Sequence, residues 1–332
     1  MTSSTEMSPP EERPPRIVER VEPPSRLRAV VQLLRLPNLF TAVADVAMGF
    51  LFTHAEAQPW PPLALLLATS CCLYLAGMVL NDLFDREIDA VERPGRPIPS
   101  GRISASFARR LGFGLLAAGV AAGVLTSVVT REGRSAAIAV TLAATIVFYN
   151  RVLKHTPLGP VAMGACRLLN VLLGMSAAFD GWRAIHYIVA AGMGVYIAGV
   201  TWFARTEAGE SHRGMLAAAL AAILSGVGLL AAFPRWAAPD LPEVSWPSYA
   251  LRAGDRWHLF WGVMAVLIGW RALRAIIDPL PVNVQGAVKH CLISLILLDA
   301  AVCLGVRGPL YGMAIVLLVL PTMALGRWSY ST

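Results

Sequence analysis

Residues 111–125 read LGFGLLAAGVAAGVL, a run without a charged or amide side chain that is apolar on every face of a helix. A membrane-spanning β-strand would alternate between apolar and polar residues over about ten positions, and this run does not alternate. About 20 apolar residues in a helix, each rising 1.5 Å, cross a hydrocarbon layer of roughly 30 Å. The run therefore predicts a transmembrane helix, and its small residues suit close helix packing in lipid.

Similar apolar runs continue along the whole chain. Of its 332 residues, 56% are hydrophobic and 15% are charged, which is more apolar surface than one soluble core could bury. The sequence therefore predicts an all-α fold, a polytopic transmembrane helical bundle. The ten predicted spans are residues 38–54, 62–80, 108–128, 135–149, 158–178, 185–203, 215–233, 258–277, 290–306 and 309–326.

The ends of these spans divide the basic residues unequally. With the N-terminus in the cytoplasm, 20 of the 28 Lys and Arg residues lie on the cytoplasmic side, and seven lie opposite. We therefore expect an integral protein of a bacterial-type inner membrane. The net charge of +7 is then a membrane-surface feature, and we expect no nucleic-acid partner. Residues 1–24, rich in Pro, Arg and Glu, are predicted to be a disordered cytoplasmic tail without a signal peptide.

The second predicted span ends in NDLFDREIDAVERPGRPIPSGR, residues 81–102. Its acid and amide residues recur at every fourth position and so share one helix face. They are Asn81, Asp85 and Asp89, with Asp82 beside the first. Oxygens in this pattern suit Mg²⁺, which takes one or two protein carboxylates together with phosphate oxygens. The alternative is a solvated helix end whose acids pair with Arg86.

The loop that follows adds three arginines within twenty residues of these carboxylates, at Arg93, Arg96 and Arg102. A metal ion together with arginines is a common way for proteins to hold a diphosphate. Prolines at 94, 97 and 99 stiffen the loop and reduce the entropy cost of presenting the arginines. This combination favours a diphosphate site, with Arg96 and Arg102 as predicted phosphate contacts.

The string NDLFDREIDAVERPGRPIPSG resembles the first Asp-rich signature, NDxxDxxxD, of the UbiA superfamily of intramembrane prenyltransferases, and most closely the version in the chlorophyll synthase branch. The resemblance implies one domain over residues 25–332, with nine transmembrane helices around a central cavity. The ten predicted spans exceed that number by one. It also implies Mg²⁺ as cofactor, with Asn81, Asp85 and Asp89 as catalytic residues and Asp82, Asp85 and Asp89 as metal ligands.

Two further segments bear on this resemblance. YNRVLKHTPLG, from residue 149, resembles the Tyr-then-Lys pattern of the family's second cytoplasmic loop. It implies substrate contacts by Tyr149 and Lys154, and a lysine that only sets the membrane topology is the alternative. The family's second Asp-rich motif is expected after the sixth span, where this chain reads TWFARTEAGESHRGM and has no aspartate. Glu207 and Glu210 are the candidate Mg²⁺ ligands, and a solvated loop is the alternative.

Three charged residues are predicted at membrane depth, where a charge costs on the order of 2.5–3.5 kcal/mol on insertion scales. They are Asp45, Arg167 and Asp299. Arg167 is a candidate for binding the diphosphate or the acceptor, and an internal pair with Asp45 is the alternative. Asn38 and Asp45 lie on the first span, where the resemblance implies part of an acceptor pocket. Asp299 is expected to be structural.

These features predict a Mg²⁺-dependent membrane prenyltransferase. It would move a polyprenyl group from an allylic diphosphate to an aromatic or other lipophilic acceptor, with the active site on the cytoplasmic side. The alternative is a catalytically altered UbiA-fold protein that acts as a lipid or small-molecule carrier or as a complex subunit. The missing second Asp-rich motif favours that alternative, and the intact first motif favours the enzyme.

Overall fold

A computed structural model describes residues 26–205 and 212–330, and in these residues every regular element is helical. The predicted tail at 1–24 lies outside the described residues, as do Glu207 and Glu210. The α-helices are α1 (Arg26–Leu34), α2 (Leu39–Thr53), α3 (Trp60–Phe84), α4 (Arg86–Glu92), α5 (Ala105–Thr130), α6 (Arg134–Arg151), α7 (Gly159–Met175), α8 (Ala184–Ala204), α9 (Arg213–Ala232), α10 (Ser248–Ala253), α11 (Asp255–Ile277), α12 (Pro281–Arg307), α13 (Pro309–Val316) and α14 (Val319–Tyr330).

Nine of the ten predicted spans each coincide with one helix and the tenth with two, so the all-α polytopic prediction is confirmed. Eight helical stretches in the described residues are long and apolar enough to cross a membrane. Two predicted spans correspond to shorter or less apolar helices, α6 of 18 residues and α7 of 17 residues. The tenth span is divided, because α13 ends at Val316 and α14 begins at Val319.

The long helices form a closed ring in chain order. Neighbouring contacts run from α2 through α3, α5, α6, α7, α8, α9 and α11 to α12, and α12 closes the ring against α2. Helix α2 also packs against α7, so one half of the bundle, α2 to α6, meets the other half, α7 to α12, at this pair. A cavity lies between them, lined by residues of α2, α3, α6, α7, α8 and α12.

One end of the bundle, here called the motif end, is where α3 and α8 finish and α5 begins. Helix α1 lies across it as an amphipathic helix, with Ala29 and Leu33 buried one turn apart on the same face. These two side chains pack with Leu83 of α3 and with Ile98 and Ile103 of the following loop. The apolar face of α1 therefore holds the arginine-rich loop against the end of α3.

Candidate active site

Asn81, Asp82, Asp85 and Asp89, here called the acid motif, lie at the junction between the end of α3 and the start of α4. Asp85 separates the two helices with φ −84° and ψ 0°, yet the four-residue hydrogen bonding continues across it. Asp85 N donates to Asn81 O at 3.1 Å, and Asp89 N donates to Asp85 O at 2.8 Å. The predicted common face of Asn81, Asp85 and Asp89 is therefore kept. Asp82, Asp85 and Asp89 are buried, with exposed fractions of 4%, 9% and 4%.

Two of these carboxylates share an arginine. Arg96 NH1 lies 2.6 Å from Asp89 Oδ2 and 3.4 Å from Asp82 Oδ1. Arg35, at the end of α1, adds a second cation, since its NH2 donates to the same Asp82 oxygen at 2.9 Å. Both contacts of Asp82 thus use Oδ1, and the contact of Asp89 uses Oδ2. Arg96 thus lies at the acids, its predicted phosphate contact stays a prediction, and Arg35 is an addition that the sequence did not single out.

The third carboxylate, that of Asp85, contacts the turn between α6 and α7. Asp85 Oδ2 forms an ion pair with Lys154 Nζ, and His155 Nε2 lies 3.7 Å from Asp85 Oδ1. Arg205, at the end of α8, donates to Thr156 O at 2.6 Å and so fastens the same turn. The structure therefore brings Lys154 to the acid motif, where its partner is a carboxylate, and its contact with a phosphate stays a prediction.

The solvated-end alternative does not describe these acids. Arg86 pairs with Glu87 at 2.6 Å on the exposed side of α4, and neither Asp82 nor Asp89 is its partner.

Arg102 has contacts other than the phosphate contact predicted for it. Its guanidinium donates to Gln32 Oε1 at 3.0 Å and to Gly95 O at 2.6 Å. In this structure Arg102 ties the loop to α1, and its phosphate role stays a prediction.

The cavity between the two halves measures about 360 Å³, and its wall at the motif end includes Asn81, next to Asp82 in the chain, and Arg35, the ion-pair partner of Asp82. Four predicted site residues line it, namely Asn38, Asn81, Tyr149 and Arg167. Asn81 Nδ2 donates to Asn150 Oδ1 at 3.0 Å, which fixes both amides at the motif end of the cavity. Apolar side chains make up most of the remaining wall. They include Leu73, Met78, Leu142, Ile146, Ile197, Val200 and Leu292.

Deeper in the cavity, the internal ion pair that the sequence left open is present. Arg167 Nε lies 2.8 Å from Asp45 Oδ2, and its NH2 donates to Thr41 O at 2.9 Å. Asn170 Nδ2 donates to the same Asp45 oxygen at 2.8 Å. Asp299 also approaches, with Oδ2 4.0 Å from Arg167 NH2. Because Arg167 lines the cavity as well, pairing with Asp45 and contact with a ligand are compatible.

The residues at the motif end fit Mg²⁺ bound together with phosphate. Among the described residues, no three Asp, Glu, His or Cys side chains are grouped closely enough to enclose a metal by themselves. Mg²⁺ needs only one or two carboxylates when phosphate oxygens and water complete its shell. Asp82 and Asp89 offer hard oxygen ligands, and their neighbouring cations suit the phosphates. The predicted ligands Glu207 and Glu210 lie outside the described residues.

The sequence missed two polar residues of this site for different reasons. Arg35 looked like one more basic residue of the N-terminal segment, and only the left-handed turn at its position, φ 47°, directs it to Asp82. Asn150 follows Tyr149 directly, at the end of a span. An amide there is costly unless bonded, so its position was a usable signal.

The fold and this site define an integral, polytopic membrane protein with a cluster of acids and cations at one end of an apolar cavity. The model of the UbiA prenyltransferase family matches residues 42–278, and the chain belongs to that family.

Curated relatives are similar to part of this chain. The digeranylgeranylglyceryl phosphate synthase of Methanopyrus kandleri is 36% identical over 161 residues, which are 47% of this chain and 57% of that protein. The synthase of the same name from Saccharolobus solfataricus is 30% identical over 47% of this chain and 54% of its own length. The chain thus spans little more than half the length of these relatives.

Solved structures are similar over most of the chain. A structure of digeranylgeranylglyceryl phosphate synthase has a TM-score of 0.61 at 19% identity and covers 86% of this chain and 99% of its own. A UbiA homolog from Archaeoglobus fulgidus, bound to GPP and Mg²⁺, has a TM-score of 0.59 at 16% identity and covers 87% and 99%. At these identities the likeness shows the fold.

Proposed function

We propose that this chain is a Mg²⁺-dependent prenyltransferase that moves a polyprenyl group from an allylic diphosphate to a lipophilic acceptor in the membrane. The observation that carries the proposal is the burial of Asp82, Asp85 and Asp89 beside an apolar cavity, each against a cation. Family membership and the GPP and Mg²⁺ bound to the Archaeoglobus fulgidus homolog support the same conclusion.

The residues of the motif end divide the binding of a diphosphate between them. Asp82, Asp85 and Asp89 would supply the one or two carboxylates that Mg²⁺ takes beside phosphate oxygens and water, and the bound ion would neutralise phosphate charge and make diphosphate a better leaving group. Arg35, Arg96 and Lys154 now face these carboxylates, and charge-assisted hydrogen bonds would let them turn to phosphate oxygens. The bond between Asn81 and Asn150 keeps these two amides fixed while the cations exchange partners.

The cavity supplies the conditions that an allylic fragment needs. Its apolar wall keeps water away from a carbon that becomes cation-like as diphosphate departs. The same wall holds the prenyl chain by apolar contact. Transfer to the acceptor is then favoured over hydrolysis, because the acceptor is the nucleophile that the cavity admits.

The test is diphosphate release by the full chain in lipid nanodiscs with geranylgeranyl diphosphate, Mg²⁺ and a panel of ring and polyol acceptors. We expect release to require Mg²⁺, to stop with EDTA, and to fall by about 100-fold in Asp85→Asn, a loss typical of removing one preorganised charge contact. Glu87→Gln is the matched control, because this acid lies two residues away with its side chain 82% exposed. It should retain full activity.

One observation favours the alternative of a carrier or complex subunit, namely that all three carboxylates already have cationic partners within the chain. Tight binding of geranylgeranyl diphosphate without Mg²⁺, and no diphosphate release with any acceptor, would establish that alternative. The roles of Glu207 and Glu210 stay predictions. A double Glu207→Gln, Glu210→Gln variant in the same assay tests them.

A further inference from the structure

The inner part of the cavity is polar although it lies within the bundle. Arg167 stands midway along α7, with its side chain only 10% exposed, and lines the cavity together with Thr41, Ser70 and Asn170. Arg167 NH1 and NH2 donate to Thr41 Oγ1 at 3.2 Å and to Thr41 O at 2.9 Å. Ser70 Oγ donates to Asn170 Oδ1 at 2.7 Å. We call these four residues the inner subsite.

The charges behind the inner subsite do not favour a bound anion. Asp45 and Asp299 are both fully buried, at 2.8 Å and 4.0 Å from Arg167 nitrogens. No N–H group or alcohol hydroxyl in the described ranges donates to Asp45 Oδ1 or to either Asp299 oxygen. A guanidinium keeps a single positive charge. One positive charge thus faces two acids, and the cluster is negative, or neutral when one carboxyl is protonated.

Hydrogen-bonding capacity nevertheless remains. A guanidinium has five N–H groups, and the two bonds to Thr41 leave others for a ligand oxygen at the cavity face of Arg167. Ser70 donates its one hydroxyl hydrogen to Asn170 and keeps lone pairs that can accept. A hydroxyl group, which both donates and accepts, suits this pair of neighbours. A carboxylate or phosphate would add a third acid in a region where charge repulsion is weakly screened.

We propose that the inner subsite holds a neutral, hydroxyl-bearing head group of the prenyl acceptor and disfavours acceptors with a carboxylate or phosphate. The proposal rests on the proposed function and adds the acceptor class to it. The two ends of the cavity then differ in charge. Cations gather at the motif end, where the donor's diphosphate is expected, and the inner subsite offers hydrogen bonds without surplus positive charge.

The experiment measures equilibrium binding to the full chain in nanodiscs, with Mg²⁺ and a thio-linked geranylgeranyl diphosphate analogue occupying the motif end. Two matched pairs serve as probes. One is 1-O-alkylglycerol against its 3-phosphate, and the other is an alkylhydroquinone against the same ring with a carboxylate. We expect the neutral member of each pair to bind at least about tenfold more tightly. Equal or tighter binding of the anionic members overturns the proposal.

Variants test the cause of the preference. Asp299→Asn and Asp45→Asn each replace one buried acid, and replacing the one that carries the negative charge should shift the binding ratio toward the anionic probe by about tenfold. Asp240→Asn is the control, because Asp240 is exposed and pairs with Arg183 outside the inner subsite. It should leave the ratio unchanged. An unchanged ratio in the folded Asp299→Asn and Asp45→Asn proteins would show that charge balance does not set the preference.

The same preparation separates the two proposals. Binding of the diphosphate analogue and Mg²⁺-dependent diphosphate release report on the proposed function. If both are present and the anionic probes bind better, only the acceptor class is wrong. If release is absent under all conditions, the proposed function fails, while the binding ratio still reports on the charge of the inner subsite.

Discussion

Arg167 and Asp45 form their ion pair inside the bundle, where the arginine side chain is 10% exposed and the aspartate is fully buried. Arg183 and Asp240 form a pair of the same chemistry, 2.6 Å apart, with side chains 40% and 63% exposed. The distances are similar, so the surroundings decide what each pair contributes. Removing one partner of a buried pair leaves an uncompensated charge, whereas water compensates the loss at the surface.

We therefore predict that Arg167→Met destabilises the protein by about 3–5 kcal/mol, the range for broken buried pairs. Arg183→Met should cost less than about 1 kcal/mol. Thermal unfolding in detergent checks both, as a large fall in Tm for the first variant and a small one for the second. An Arg167→Met, Asp45→Leu double variant should recover part of the loss. Equal Tm values for the two single variants would mean that the buried pair is not holding α2 and α7 together.

Helices α2 and α7 carry this pair on backbones that approach very closely. A Cβ placed on Gly174 would lie 2.6 Å from Val46 O and 2.8 Å from Val46 Cα. A Cβ on Gly49 would lie 2.6 Å from Val171 O. These neighbours are backbone atoms, which cannot move aside as a side-chain tip can. The glycines therefore set the separation of α2 and α7, and with it the reach from Arg167 to Asp45.

Gly174→Ala should force these helices apart, lower Tm, and reduce diphosphate release because Arg167 and Asn170 move with α7. Gly228→Ala is the matched change on α9, where a Cβ meets no atom within 4 Å. It should be neutral or stabilise by up to about 1 kcal/mol, since alanine has the higher helix propensity. Measurements of Tm and of diphosphate release for both variants show whether Gly174 sets the separation of α2 and α7. A Gly174→Ala protein as stable as Gly228→Ala would contradict the close contact.

At the scale of the whole molecule, the sequence predicted the all-α architecture and where the helices lie along the chain, because long apolar runs leave few alternatives in lipid. It did not predict α1, whose RLRAVVQLL is too short and too polar to stand out. Nor did it predict the division between α13 and α14. Both depend on packing: α1 is held by side chains of α3 and the loop, and α14 lies against α1 and the start of α2.

The sequence predicted those residues of the candidate site that lie close together in one segment of the chain. The spacing of Asn81, Asp85 and Asp89 was visible in the sequence, and their common face follows from the helical repeat. Partners that come from distant segments were not predictable. Arg35 reaches Asp82 across 47 positions, and the choice between pairing and ligand contact for Arg167 needed the position of α2. Residue spacing in the sequence predicts which side chains share a helix face, whereas their partners on other helices are known only from the fold.

The ring of helices places the acid motif and its cationic partners at one end. The chain crosses the bundle alternately, so the acid motif, the turn with Lys154 and the end of α8 lie together at the motif end, and Asp240 belongs to the connection between α9 and α10 at the other. The excess of Lys and Arg falls on the motif end. By the positive-inside tendency, that end is predicted to face the cytoplasm.

Cysteine labelling on intact cells tests this orientation. Arg93→Cys puts a thiol on the exposed loop of the motif end, and Asp240→Cys puts one on the exposed connection opposite. A membrane-impermeant maleimide should label Asp240→Cys directly and Arg93→Cys only after the cells are permeabilised. The five natural cysteines lie within helices, so the unmodified chain gives the background. Direct labelling of Arg93→Cys would place the acids, and the diphosphate that they are proposed to bind, on the outer side of the membrane.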